Sequence, residues 1–175
     1  METVLQEDTR THEHYWNKMT QFKFDLNYYS YCFSYCITFL RYWKISISVL
    51  TALVTGAWMN WGNNKAVAMI CAILILIFQS LNAASELFPF ENRKRELREM
   101  LLLLEPIYED MEAYWLRIVD GEVTKEDVAD KLKKCDSLRH DILKHYFKDD
   151  ALPDNKRIEE KAKNETLKYI NTNLM

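Results

Sequence analysis

Apolar and polar positions change rhythm three times along this chain. From Tyr15 the large side chains recur at Met19, Phe22, Leu26, Tyr29, Phe33, Cys36 and Leu40, in alternating steps of four and three. That spacing is a heptad seam and predicts one long helix. The rhythm then stops. No charged side chain occurs from Ile45 to Asn64 or from Ala66 to Ser85, and each run is about twenty residues, the length a helix needs to cross some 30 Å of hydrocarbon. After Pro89 the period returns at Leu97, Leu101, Leu104, Tyr108, Met111, Trp115 and Ile118, and again at Val128, Leu132, Cys135, Leu138, Ile142 and Tyr146. These are two further helical seams.

Punctuation agrees with the pattern. The 175 residues include only three glycines and three prolines, which favours long uninterrupted helices over turn-rich sheets. No Gly or Pro precedes Gly56, so the first helix is free to run on into the apolar stretch. Pro89 marks the exit from the second apolar run, Pro106 is expected to kink the helix around it, and Gly121 reads as its C-cap. Thr124 and Asp127 open the next helix in the manner of a capping box. After Pro153 a short polar helix carries a weak stripe of Ile158, Ala162 and Ile170, and this tail is expected to be the most mobile part.

The two apolar runs are read as a membrane hairpin. Leu, Ile, Val and Phe give the second run an insertion free energy of about −4 kcal/mol, partly offset by Gln79 and Asn82. The first run is weaker, and the short break at Trp61–Asn64 makes joint entry the natural route. Arg41 and Lys44 precede the hairpin and Arg93, Lys94, Arg95 and Arg98 follow it, whereas only Lys65 lies at the connection. Positive charge stays on the cytoplasmic side, so both termini are expected there. Tyr42 and Trp43 mark one interface and Trp58 and Trp61 the other. The competing reading is a buried hairpin within a water-soluble bundle, which has to account for two helices without a polar face.

The expected fold is therefore an all-α membrane protein. Residues 1–44 form an N-terminal cytoplasmic and juxtamembrane helix. Residues 45–88 form the transmembrane hairpin, with spans at 45–61 and 66–86 and an outer loop at 62–65. Residues 89–148 form a cytoplasmic helical region, and residues 149–175 a polar helix or tail.

Candidate chemistry changes this picture little. The formal net charge of −3 does not suggest a nucleic-acid partner. The chain has no Gly-rich phosphate loop, HExxH motif or nucleophile elbow, so no catalytic residue, metal site or cofactor is expected. His12 and His14 diverge on a helix, and His140 and His145 share a face poorly. Cys32, Cys36, Cys71 and Cys135 match no metal or redox spacing and are read as free thiols in a reducing compartment. The sequon at Asn164 falls on the cytoplasmic side and is set aside.

Polar residues inside the apolar runs are more informative. Ser48, Thr51 and Thr55 share a face of the first span, and Gln79, Asn82 and Glu86 share a face of the second. With the turn near Asn63–Asn64, Ser48 lies level with Asn82 and Thr51 with Gln79. Polar groups in hydrocarbon are expensive unless paired or wet. These six either join the helices by hydrogen bonds or line an aqueous path when several hairpins assemble. Ala52 with Gly56, and Ala68 with Ala72, offer small-residue faces for close helix packing. Phe22, Leu26, Tyr29 and Phe33, with Leu97, Leu101, Leu104, Tyr108 and Trp115, are candidates for a bundle or oligomer seam.

The order of a long N-terminal helix, a tight hairpin and a cytoplasmic helical region, carried by "YYSYCFSYCITFLRYWKISISVLTALVTG", "SELFPFENRKRELREMLLLLEPIYEDMEAYW" and "LRHDILKHYF", resembles the SLATT family of bacterial two-transmembrane effectors. The resemblance is one of layout and texture. It implies a homo-oligomeric pore-forming effector of antiphage defence in the bacterial inner membrane, in contact with lipid and triggered by a nucleotide second messenger or a separate sensor protein. The rival reading is a non-conducting membrane scaffold for a cytosolic partner.

Overall fold

The computed structural model describes the backbone of residues 2–61, 64–85, 89–147 and 155–174, and the side chains of 10–59, 64–80, 91–147 and 155–174. Within these residues the chain is all-helical, with no strand. The helices are α1 (Glu2–Trp61), α2 (Lys65–Ser85), α3 (Pro89–Val119), α4 (Lys125–Tyr146) and α5 (Lys156–Asn173). Gly62 and Asn63 of the expected outer loop, and Glu86, lie outside the described residues, as does the side chain of Asn82.

Helix ends follow the local chemistry. Asn64 heads α2, its side-chain oxygen accepting from the Ala66 amide at 3.1 Å. α3 runs through Pro106, which sits at an exposed position. Gly121 ends α3 with φ of 71°; its amide bonds Ile118 O at 3.1 Å and the Glu122 amide bonds Arg117 O at 3.0 Å. That pair of bonds is a Schellman closure, and the left-handed φ is why glycine stands there. At the start of α4 the Asp127 amide donates to Thr124 Oγ1 at 3.3 Å, while the Thr124 amide donates to Asp127 Oδ2 at 3.2 Å. The capping box is complete, and the Thr124 hydroxyl, donating to Asp127 Oδ2 at 2.7 Å, together with the Thr124 amide holds the Asp127 carboxyl below its usual range.

The chain divides into two units, Met1–Phe33 with Glu96–Met175, and Ser34–Arg95. The first is a four-helix bundle. α1 packs antiparallel to α3, as the contacts Tyr15–Trp115 and Phe22–Tyr108 fix. α4 runs parallel to α1 through Lys18–Asp136 and Tyr29–Phe147, and α5 runs antiparallel to it through Lys23–Tyr169 and Asn27–Thr166. Tyr15, Met19, Leu97, Met100, Leu104 and Ile118 are fully enclosed. The Tyr15 hydroxyl donates to Met111 O at 3.0 Å, so its one polar atom is satisfied inside the core.

The seams depart from the expected stripes at three places. Tyr29 and Phe33 are only half-buried, because α4 ends beside Tyr29 and one wall of the bundle is lost there. Leu138 is exposed, and the next residue turns inward in its place: Arg139 pairs with Asp25 and lies 5.7 Å from the Phe22 ring. The polar helix expected after Pro153 runs for 18 residues, is capped by Asn155, and buries the expected Ile158, Ala162 and Ile170 together with Thr166. Thr166 completes a stripe that looks broken in the sequence. Its hydroxyl donates to Ala162 O at 2.8 Å and accepts from Asn27 Nδ2 at 2.9 Å, so its burial carries no unmet hydrogen bond.

The Asp25–Arg139 pair gives a test of this packing. Arg139→Met strands a shielded carboxylate and is expected to lower bundle stability by about 2–3 kcal/mol, whereas Asp25→Leu with Arg139→Met recovers most of that loss. Denaturant unfolding of the full-length protein followed by circular dichroism checks it.

Candidate functional site

The second unit carries the feature that departs most from an ordinary folded domain. In α1 an 18-residue apolar window has a mean hydropathy of 1.4, and only 11% of it is buried by the rest of the chain. Among the described residues this is the one helical stretch long and apolar enough to cross a membrane; the described apolar stretch of α2, Lys65–Ser80, is shorter. Ile45, Val49, Leu50 and Leu53 on α1, and Met69, Ile70, Ile73 and Leu76 on α2, are all exposed. Patches of this size on a water-soluble protein mark an interaction surface. Ile47 and Cys71 are the buried residues along these stretches.

The polar residues of the apolar stretches divide by helix. Ser48, Thr51 and Thr55 each donate to the carbonyl four residues back, Lys44 O, Ile47 O and Thr51 O, at 2.9, 2.8 and 2.8 Å. Their protons are spent within α1, so these hydroxyls donate nothing to α2. Each oxygen keeps capacity to accept, and Ser48 and Thr55 are exposed. Gln79 is exposed on α2. Ser48, Thr55 and Gln79 thus stand exposed, while Thr51 is half-buried.

The small residues are similarly placed. Ala52 is exposed, Ala68 and Ala72 are half-buried, and a Cβ built on Gly56 meets nothing within 4 Å. Within this single chain Gly56 is thus not a point of close helix approach.

The bundle unit holds a polar cluster that the apolar periodicity does not reveal. Lys23 Nζ lies 3.9 Å from the ring centre of Tyr169 and 4.5 Å from that of Tyr108. Tyr169 donates its hydroxyl to Glu112 at 2.7 Å. The groove here, about 410 Å³, is also lined by Glu105 and Glu109. Burial lowers the Lys23 pKa, while Glu112, Glu105 and Glu109 work against that shift. So acidic a groove is a poor host for nucleotide phosphates. A second groove of about 590 Å³ between α1 and α4 carries Arg10, Glu13, His14 and Asn17. The signal for the first cluster lies in Lys23, a charge set inside an apolar seam between Phe22 and Leu26.

None of the four cysteines is in a disulfide and all are buried, and burial raises the Cys36 and Cys135 thiols. The four histidines are exposed, and no group of His, Cys, Asp and Glu suited to a metal occurs among the described residues. No protein-family model, curated protein or solved structure matches this chain.

Burial pushes the Tyr29 and Tyr169 phenols up to about 12 and lifts Tyr15 and Tyr108 further. Unfolded phenols titrate near 10, so the folded state keeps these protons longer. The stabilisation is fully present below about pH 10 and is lost as pH rises through the folded values. Lys23, lowered by burial, opposes this with one group against four. Urea unfolding is expected to give a midpoint that drops above pH 10, and Tyr29→Phe with Tyr108→Phe is expected to flatten that decline.

Proposed function

We propose that this chain is an integral membrane protein whose α1 and α2 cross the bacterial inner membrane as a hairpin, with both termini in the cytoplasm. The reading rests on the apolar window of α1 that the chain leaves almost wholly uncovered. The core helix of a soluble protein passes the same length and composition test but is covered by its own fold; this one is not. The 21 residues of α2 extend about 30 Å at the α-helical rise, enough to return across the hydrocarbon.

The assembled protein acts as an oligomeric effector that permeabilises or depolarises the membrane on activation, arresting or killing the cell. The layout shared with SLATT effectors supports the effector role, and a trigger from a nucleotide messenger or a separate sensor protein comes with it. Two helices cannot enclose a pore, so several copies are required. The row of Ser48, Thr51, Thr55 and Gln79 is the polar surface available to an assembled lumen.

A second reading has its own support. The α1 hydroxyls are satisfied within their helix, so a hairpin in lipid needs no aqueous path. The protein is then a membrane-anchored scaffold for a cytosolic partner.

Leakage of dye-loaded liposomes separates the two. The effector reading expects release from vesicles holding the assembled full-length protein, and loss of release in Gln79→Leu with Asn82→Leu at unchanged expression and oligomer size. Sealed vesicles under all activating conditions support the scaffold, and a double variant that still leaks removes the lining role.

A further inference from the structure

α3 carries a second apolar stripe on the side away from its core seam. Leu102, Pro106, Ala113 and Leu116 recur along it in helical steps and all are exposed, Leu102 at 59% and Leu116 at 57%. Arg98 and Glu99 precede the stripe, and Glu105 and Glu109 border it, all four exposed. Exposed apolar surface rimmed by charge marks an interaction site. Two copies of this stripe do not suit each other. Glu109 stands midway between Leu102 and Leu116, so a two-fold contact along or across the helix sets it against its own counterpart.

The complementary face belongs to α5. Leu167, 49% exposed, lies on its outward side with Glu160, Lys161 and Lys168, also exposed. α3 and α5 both run antiparallel to α1, hence in one direction, and Tyr108 meets Tyr169 at 6.4 Å between ring centres. That contact fixes their levels. Counted back from it at a common rise, Glu160 and Lys161 come within one turn of the level of Arg98 and Glu99. Leu167 is level with Pro106, and Lys168 falls between Glu105 and Glu109. The signs are opposite at each step: positive, negative, apolar, negative on α3, and negative, positive, apolar, positive on α5. A rotation about an axis along the bundle leaves every level unchanged, so α5 of one copy meets the stripe of the next with these charges matched.

We propose that copies of this chain join through these two different faces, the α5 face of one seated on the outer α3 stripe of the next, in a ring about an axis along the bundle. The inference rests on the oligomeric reading above and names the contact between its copies. Every copy offers one face of each kind, so the contact repeats until the ring closes. Leu167 covers the Leu102–Pro106 stretch, while Lys161 and Lys168 meet Glu99 and Glu109.

Assembly of the full-length protein in detergent is followed by light scattering across a concentration series. Reversing one face, Lys161→Glu with Lys168→Glu, or the other, Glu99→Lys with Glu109→Lys, is expected to weaken association at least about tenfold at unchanged helix content. An equimolar mixture of the two reversed proteins is expected to assemble again, because each offers the charge that the other now needs. Association untouched by either reversal, or no recovery in the mixture, overturns this contact and leaves the oligomeric effector standing. A natural protein that stays monomeric at every concentration overturns both and gives the face to another occupant. If a reversed protein fails to fold, cross-linking decides. Pro106→Cys protein and Leu167→Cys protein, each lacking the four natural cysteines, are oxidised together. A disulfide joining the two kinds of chain supports the contact, and its absence overturns it.

Discussion

An α-helix satisfies its backbone amides internally, so it can carry isoleucine, leucine and valine on every side and leave their covering to the surroundings. α1 does this over its apolar window. Upstream, the same helix shows the opposite arrangement, with Tyr15, Met19, Phe22 and Leu26 pressed into a bundle and charges kept outside or paired. One continuous helix therefore presents two solvation regimes, and the boundary between the chain's two compact units falls within it, after Phe33. What covers the second regime is the question on which every functional reading depends. Exposing this many branched and long apolar side chains to water is costly at the usual area coefficients, and lipid or other copies of the chain are the coverings the proposal invokes.

The bundle shows how little apolar material the first regime needs. α5 contributes only Ile158, Ala162, Thr166 and Ile170 to the interior, and α4 contributes chiefly Val128 and Cys135. Polar contacts supply the missing definition. Lys18–Asp136, Asp25–Arg139 and Lys131–Asp110 fix α4, while Asn27–Thr166 and Tyr169–Glu112 fix α5. Ion pairs of this partly exposed kind add modest stability, but their geometry selects one register among several that a small hydrophobic stripe would tolerate.

Much of this architecture was legible in the residues. The four–three spacing of Tyr15 to Leu26 and of Leu97 to Met111 marked buried faces, and the capping residues Thr124 with Asp127 and the terminating Gly121 marked helix ends. Local chemistry decides such features, so a sequence displays them. The exposure of Leu138 and the burial of Thr166 in α5 were illegible for a different reason. Whether position 138 or 139 faces inward depends on Asp25, more than a hundred residues away, and Thr166 becomes a core residue only because Asn27 answers it. The hydroxyls at Ser48, Thr51 and Thr55 were recognised as a row, but their return to the preceding helical turn was one of several options open to them. The aromatic seat of Lys23 was likewise hidden, since its two rings come from different helices.

The hairpin itself is tested most directly by side-specific labelling of cells. On a background lacking the four natural cysteines, single reporters at Asn64→Cys, beside the turn, and at Asn173→Cys, at the end of α5, are exposed to a membrane-impermeant maleimide in intact spheroplasts. The account predicts that the first is labelled at once and the second only after the membrane is opened. Recovery of the protein in the soluble fraction, or equal protection of both reporters until lysis, contradicts it.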